Sequence, residues 1–315
     1  MGKIAFVFPG QGSQVVGMGQ SLAEKHPNVK AIFENADKKL NVDLSKLIFA
    51  GPQEELTLTY NAQPALLTTS IAVLEYFREF GIQADYVAGH SLGEYTALVA
   101  AGALTFEEGV YLVRKRGEFM ESAVPNGEGT MAAVLGLDRD RLAEVTNSVT
   151  EEGFPVQLAN LNCPGQIVIS GTTKGVELAG AKAKEAGAKR VLPLVVSGPF
   201  HSSLMKPAAG QLKEELDQMD MKDANIPVIA NVTAEPISAA SEIKEKLIEQ
   251  LYSPVLWEDS VAKMLELGVD TFIEIGPGKV LSGLVKKISK NTKTYSVSDE
   301  ESALAVIEAL KEENQ

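Results

Sequence analysis

The sequence predicts an α/β protein: a large domain on a parallel sheet, with a small ferredoxin-like domain inserted into it. Three observations predict this. Short strand-like apolar runs alternate with stretches of helical period from the N-terminus onward, as in parallel strands joined by helices. Between residues 125 and 195 the order becomes strand, helix, strand, strand, helix, strand, the order of a split βαβ unit. The chain also has 315 residues, 45% of them hydrophobic, enough for one large domain or two unequal ones.

Taken in order, residues 4–8 (IAFVF) read as a first strand that breaks at Pro9-Gly10-Gln11-Gly12. A helical stretch follows, including VKAIFENADKKL. After a turn at Pro64, ALLTTSIAVLEYFREFG repeats apolar residues at spacings of three and four and stops at Gly81, which suits a helix C-cap. Residues 86–88 form a short strand, Ser91 a turn, and the chain to Ala101 a helix. Residues 106–122 again have helical period. From Pro125-Asn126-Gly127 onward, MAAVLGL, DRDRLAEVTNSV, VQLANLN, QIVISG, TKGVELAGAKAKEAG and KRVLPLVV supply the six elements of the insert. The expected boundaries are 1–124 and 196–315 for the large domain and 125–195 for the small one.

Composition excludes several functions. A net charge of -13 argues against a nucleic-acid surface, because phosphate binding relies on clustered Lys and Arg. No apolar run reaches the roughly 18 residues of a membrane-spanning helix. The N-terminal apolar run ends at Pro9-Gly10 with no small-residue cleavage site, so it reads as a strand rather than a signal peptide. With the single Cys163, this points to a cytoplasmic protein without disulfides, expected to be a monomer. No ligand cluster has metal spacing, and no metal is expected.

The chemistry centres on Gly89-His90-Ser91-Leu92-Gly93, between a strand and a helix. Small neighbours permit the strained turn of a nucleophile elbow, which presents the serine hydroxyl at the carboxyl edge of the sheet. The following helix adds backbone N–H groups and a dipole that favour an oxyanion. The bland alternative is a glycine-rich turn that happens to contain serine.

Three histidines are available as a base. His90 shares the elbow and should point away from the hydroxyl, and His26 lies in a polar helix end. That leaves His201, after VLPLVVSGPF, which is expected at the carboxyl end of a strand, where catalytic groups of open α/β sheets gather. Its alternative role is to cap the next helix. No carboxylate stands out to orient it, so a backbone carbonyl could complete a Ser-His dyad. Two nucleotide loops are rejected: Val15 breaks a GxGxxG that starts at Gly10, and Met18 stands where a P-loop needs lysine. The loop after the first strand, including Gln11, can still donate N–H groups to an oxyanion.

Two arginines on one helix differ. Arg114 has Glu107, Glu118 and Glu121 on its face, a solvated pattern. Arg116 has Gly109, Leu112, Val113, Phe119 and Met120 around it and faces the core. A buried arginine needs an anion. An internal salt bridge or a snorkelling stem would satisfy it. Near Ser91 it would instead hold a carboxylate on the acyl group by paired hydrogen bonds, which predicts a dicarboxylic acyl substrate such as malonyl.

Together FPGQGSQ, NAQPA from Asn61, GHSLGEY, RKRGEFM, NCPGQIVISG, GPFHS and EIGPGKVLSGL resemble the malonyl-CoA:acyl carrier protein transacylase family of fatty-acid synthesis, in order over nearly the whole chain. The resemblance implies a hydrolase-like α/β domain carrying a ferredoxin-like insert. It implies Ser91 as nucleophile, His201 as base and later acid, and Arg116 on the malonyl carboxylate. It further implies an oxyanion hole from the backbone N–H groups of Gln11 and Leu92, and the carbonyl of Gln250 orienting His201. Gln63 and Asn162 match positions that line or border the site. The bulk of Phe200 resembles that of malonyl-specific relatives.

The implied reaction is ping-pong, from malonyl-CoA through a malonyl-serine ester to the phosphopantetheine thiol of acyl carrier protein, with no cofactor. That carrier is acidic, so a basic docking surface is expected from Lys182, Lys184, Lys189 and Arg190 together with Lys286, Lys287 and Lys290. Ordinary solvated lysines are the alternative. The competing functions are a serine esterase or thioesterase, which leaves Arg116 and the absent acid unexplained, and a non-catalytic scaffold that binds acyl carrier protein.

Overall fold

The computed structural model describes residues 2–312. The ends of the expected spans, residue 1 and residues 313–315, lie outside them. The strands are β1 (Lys3–Phe8), β2 (Tyr86–Gly89), β3 (Gly129–Leu135), β4 (Val156–Cys163), β5 (Gln166–Thr172), β6 (Arg190–Pro193), β7 (Val228–Ile229), β8 (Pro236–Ile237), β9 (Val269–Ile275) and β10 (Lys293–Val297). Among the described residues they form a six-stranded sheet, ordered β10-β9-β1-β2-β7-β8, and a four-stranded sheet, ordered β4-β5-β3-β6.

In the larger sheet β1 pairs in parallel with both β2 and β9, β9 with β10, and β2 with β7; only β8 runs antiparallel. The sequence of β1 shows why this sheet lies inside. Ile4, Phe6 and Phe8 enter one apolar cluster, whereas Ala5 and Val7 enter the cluster on the other face. A strand covered on both faces reads as an unbroken apolar run, and its carboxyl edge becomes the surface open to chemistry. No helix among the described residues is long and apolar enough to cross a membrane.

The smaller sheet is antiparallel, with its first and third strands in the middle, as a split βαβ unit requires. Ala132 and Val134 of β3 face a cluster completed by the helices Arg139–Glu151 and Thr173–Glu185. Met131, one residue before Ala132 and so on the opposite face of the strand, joins the larger core and is thereby brought toward the site.

Two expectations change. The turn expected at Pro64 lies inside a helix, Thr59–Arg78. Proline removes the N–H that would bond the carbonyl of Tyr60 four residues back. Arg114 Nη1 donates to that carbonyl instead, at 3.2 Å, so the helix continues. Arg114 therefore does more than hydrate a surface: it bonds Asn61 Oδ1 at 2.7 Å and Glu118 at 2.8 Å, and it lies over the Tyr60 ring.

His201 does not follow directly from a strand of the parallel sheet. The β-rich run before it forms β6, whose partner is β3 of the smaller sheet. The ladder stops one residue past β6, where Leu194 N bonds Met131 O at 3.0 Å, and the chain crosses to the larger sheet as an arch over 194–200.

Candidate active site

Ser91 follows β2 and immediately precedes the helix Leu92–Ala100, with φ 52° and ψ -105°. Such a backbone costs on the order of 1–3 kcal/mol and must be held by its surroundings. The flanking glycines are required on steric grounds. A Cβ on Gly89 would lie 1.9 Å from Gly93 C, and one on Gly93 would lie 2.1 Å from Phe8 O. The two glycines therefore let β2, the elbow and β1 close onto one another. Ser91 N donates to Asn231 Oδ1 at 2.7 Å, and Asn231 Nδ2 donates to Gly89 O at 2.7 Å, a clamp across the turn.

His201 also has positive φ, 58°, and is 3% exposed. Its Nδ1 lies 2.8 Å from Gln250 O, an acceptor, so this nitrogen carries the proton. Nε2 is then an acceptor, 2.8 Å from Ser91 Oγ. Burial, with the Arg116 charge adding to it, pushes the imidazole down to about 3. His201 is neutral at pH 7, the form a general base requires.

Arg116 is 1% exposed. Nη1 donates to Gln63 Oε1 at 2.6 Å, and Nη2 donates to Gln250 Oε1 at 2.9 Å and to Ser91 Oγ at 3.0 Å. Its Cζ lies 5.1 Å from the centroid of the Tyr95 ring. The internal salt bridge is thus not made directly: these partners are neutral, and the nearby acid, Glu94, bonds Gln250 instead. Burial lowers the arginine's proton affinity, while Tyr95 and Glu94 oppose the shift.

The remaining expected residues fall in two groups. Gln11, Leu92 and Phe200 line the same cleft as Ser91, Arg116 and His201. Leu92 opens its helix, so its N–H has no intrahelical acceptor. The side chain of Gln11 is engaged by Thr59 Oγ1 at 3.1 Å, which leaves its backbone N–H as the group to consider. Gln63 and Asn162 sit behind the lining. Gln63 is fully buried against Arg116, and Asn162 Oδ1 lies 2.8 Å from His90 Nε2. That contact engages the ring nitrogen of His90 away from the serine hydroxyl; burial lowers its pKa.

The cleft has a volume of about 160 Å³ and opens to solvent, with Met120, Met131 and Leu194 giving it apolar walls. Among the described residues no group of three or more His, Cys, Asp or Glu side chains is arranged to hold a metal ion.

Two members of the site escaped the sequence reading. Glu94 Oε2 accepts from Gln250 Nε2 at 2.7 Å and from Asn231 N at 3.2 Å, and burial pushes its carboxyl up to about 7. Each left a trace: Glu94 interrupts the apolar helix LGEYTALVA, and Asn231 stands at the carboxyl end of the β7 run.

The basic residues separate. Lys182 is paired with Glu152. Lys286 bonds the carbonyl of Thr292, and Lys287 bonds Gln166 Oε1 at 3.1 Å. Lys189 packs over Gly136, whose N–H bonds Gly165 O at 2.8 Å, next to that same Gln166. The β4–β5 turn therefore lies between Lys189 and Lys287.

Comparison with known proteins gives a consistent picture. A sequence model of the family described as "Acyl transferase domain" matches residues 5–314. A Bacillus subtilis (strain 168) protein named malonyl CoA-acyl carrier protein transacylase is 67% identical over 314 residues, covering 100% of this chain and 99% of that one. The crystal structure of an acyl carrier protein S-malonyltransferase from Vibrio cholerae superposes with a TM-score of 0.94 at 46% identity, over 96% of this chain and 99% of that one. A malonyl-transacylase solved in complex with its holo type II PKS acyl-carrier protein superposes with a TM-score of 0.95 at 43% identity, over 98% of this chain and 99% of that one.

Proposed function

The chain belongs to the malonyl CoA-acyl carrier protein transacylase family, and from that premise we propose that Ser91, His201 and Arg116 carry its reaction. The reaction moves malonyl from malonyl-CoA to acyl carrier protein in fatty-acid synthesis and uses no cofactor. One observation carries the residue assignment. A neutral imidazole at 2.8 Å and a buried guanidinium at 3.0 Å converge on a single hydroxyl, Ser91 Oγ.

His201 Nε2 takes the Ser91 hydroxyl proton as Oγ bonds to the thioester carbonyl carbon. The carbonyl oxygen, now an oxyanion, accepts from the backbone N–H groups of Gln11 and Leu92. The C–S bond breaks, the CoA thiolate takes the proton from His201, and malonyl remains as a serine ester. The carrier's thiol then repeats the sequence in reverse, leaving Oγ–H restored. Throughout, Gln250 O fixes the proton on Nδ1, the orienting task an acid performs in a triad.

Arg116 supplies selection. Its amide partners satisfy hydrogen bonds but leave its charge uncancelled by a direct ion pair, and the malonyl carboxylate completes that charge. Phe200, with the apolar lining, limits the space and polar anchorage for a wider acyl group or a stray water. The division that fits this reading places the catalytic domain in 1–124 and 196–315 and the insert in 125–195, in a cytoplasmic monomer.

Intact-mass measurement tests the scheme. With malonyl-CoA alone the protein should gain one malonyl on Ser91 and keep it; added carrier protein should remove it. Steady release of CoA without an acceptor would indicate hydrolysis, and an unlabelled Ser91 would indicate a scaffold. Arg116→Ala should lose malonyl transfer by 10²-fold or more, roughly, and acetyl transfer far less. Uniform loss would make the arginine structural.

A further inference from the structure

We propose that Glu94 is a positioning residue: it fixes which way the Gln250 amide faces and, through Gln250, aims Arg116 at the acyl carboxylate. The inference rests on the reading of Arg116 as the malonyl clamp. Glu94 is the third residue of the elbow helix, buried in an apolar run, and the reaction scheme itself makes no use of it. A carboxyl so placed requires donors or a cation.

An amide has one donating end and one accepting end; an ionised carboxylate only accepts, and a protonated one still accepts at its carbonyl oxygen. Glu94 Oε2, at 2.7 Å, therefore draws the NH₂ of Gln250 toward itself, and the same nitrogen reaches Ser91 O at 3.0 Å. Gln250 Oε1 is left facing Arg116 Nη2 at 2.9 Å. Flipped, the amide would set NH₂ against guanidinium and oxygen against carboxylate, unfavourable at both ends. The backbone carbonyl of the same residue holds His201 at 2.8 Å. Gln250 thus touches the base, the arginine and the elbow, and Glu94 makes the shortest of the three contacts, with Ser91 O and Asn231 Oδ1, that hold its amide nitrogen.

The second contact of Glu94 fits the same role. Oε2 also accepts from Asn231 N at 3.2 Å, and Asn231 in turn clamps Ser91 N at 2.7 Å. Withdrawing the acceptor removes the shortest of the three bonds on the amide nitrogen, leaving Ser91 O at 3.0 Å and Asn231 Oδ1 at 3.3 Å, and so loosens the oxygen that faces the guanidinium.

The test compares kcat/KM for malonyl-CoA and acetyl-CoA in Glu94→Met, which keeps volume but removes the acceptor, and in Glu94→Gln, which keeps an oxygen. Glu94→Met should lower the malonyl-to-acetyl preference by about tenfold or more, with acetyl transfer changed far less. Glu94→Gln should restore the preference to within roughly threefold of the parent, because a carboxamide oxygen still accepts the bond. Equal loss for both acyl groups in Glu94→Met, or no restoration by Glu94→Gln, overturns the role. Should Glu94→Met fail to fold, Glu94→Asp takes its place. It withdraws the oxygen by one methylene and should lower the preference in the same way, and a parental preference overturns the role. Arg116→Ala, run alongside, separates the two ideas. Preference lost there but kept in Glu94→Met sinks Glu94 alone, whereas preference kept in Arg116→Ala sinks the clamp and this inference with it.

Discussion

The two walls of the cleft are built differently. On the elbow side Ser91 is bounded by two glycines that tolerate no Cβ, and Asn231, Gln250 and Arg116 bond its N, O and Oγ. On the opposite side the arch over 194–200 has no regular secondary structure, and Val195 is 98% exposed. The arch is tied down by Leu194 N to Met131 O at 3.0 Å and by Ser197 Oγ, which bonds Glu121 Oε2 at 2.7 Å and Thr59 Oγ1 at 3.2 Å; Val196 N to Leu194 O at 3.1 Å is a turn within it. A nucleophile has one productive geometry, so its wall is over-determined. The other wall borders the entrance for two different thioesters, and sparse bonding suits it to both.

His201 sits where the walls meet, and replacing it should produce the largest effect. His201→Ala should lower kcat/KM by roughly 10⁴-fold while the thermal midpoint stays near the parent's. A loss of less than about a hundredfold would mean that the elbow wall activates Ser91 without it.

Stability should follow the same contrast. Gly93→Ala drives a methyl to 2.1 Å from Phe8 O, a backbone atom that cannot swing aside, and should cost about 2 kcal/mol or more in urea melts. Val195→Ala on the arch should change stability by about 0.5 kcal/mol or less. Comparable losses at the two positions would remove the distinction between a fixed wall and an adaptable one.

Titration assigns charge to each wall. Between 6.5 and about 3, the unfolded chain binds a proton on His201 that the native chain refuses, so this contribution to stability is lost as pH falls through that window. Glu94 does the reverse. Held at about 7 against an ordinary 4.5, it takes a proton in the native state first, so its contribution is full below 4.5 and lost as pH rises to about 7. Over the shared window, pH 4.5–6.5, the two slopes oppose and largely cancel in the parent, so His201→Asn should tilt stability downward with rising pH and Glu94→Gln should tilt it upward. Each change amounts to at most roughly 1.4 kcal/mol per pH unit. Identical slopes in both variants would detach these titrations from the site. Activity carries a related mark: with His201 neutral down to about 3, its protonation should give kcat/KM no acid limb above pH 4.

The same contrast explains what could be read in the sequence. Gly89, Ser91 and Gly93 were legible because strain demands particular residue types at fixed spacing, and Arg116 because an arginine on an apolar helix face is costly. Glu94 and Asn231 belong to the same wall and went unread, since Glu94 bonds Gln250 and Asn231 while Asn231 bonds Ser91, each partner more than a hundred residues away, and no local spacing encodes them. Pro64 misled because Arg114, fifty residues later, supplies the donor that proline lacks. The path into His201 misled because a β-rich run does not announce which sheet it will join, and β6 took the smaller one.

The smallest effect concerns the carrier, beyond both walls. Lys286 and Lys287 are exposed at the end of helix Val280–Ile288, and Lys287 reaches Gln166 in the β4–β5 turn, so this pair lies beside the insert. On a chain of net charge -13 meeting an acidic partner, a local basic surface lowers the barrier to encounter. Reversing both charges to Glu should raise KM for acyl carrier protein by roughly three- to tenfold and leave kcat nearly unchanged, because rim charges steer and do not take part in bond making. The half-reaction that loads malonyl from CoA should be spared, as Ser91, His201 and Arg116 are untouched. The KM effect should also shrink as salt rises to several hundred millimolar, since exposed charges are screened over a length of about 10 Å or less. Equal losses in both half-reactions would place these lysines in the shared thioester path instead, and the division between a fixed catalytic wall and a separate docking rim would have to be redrawn.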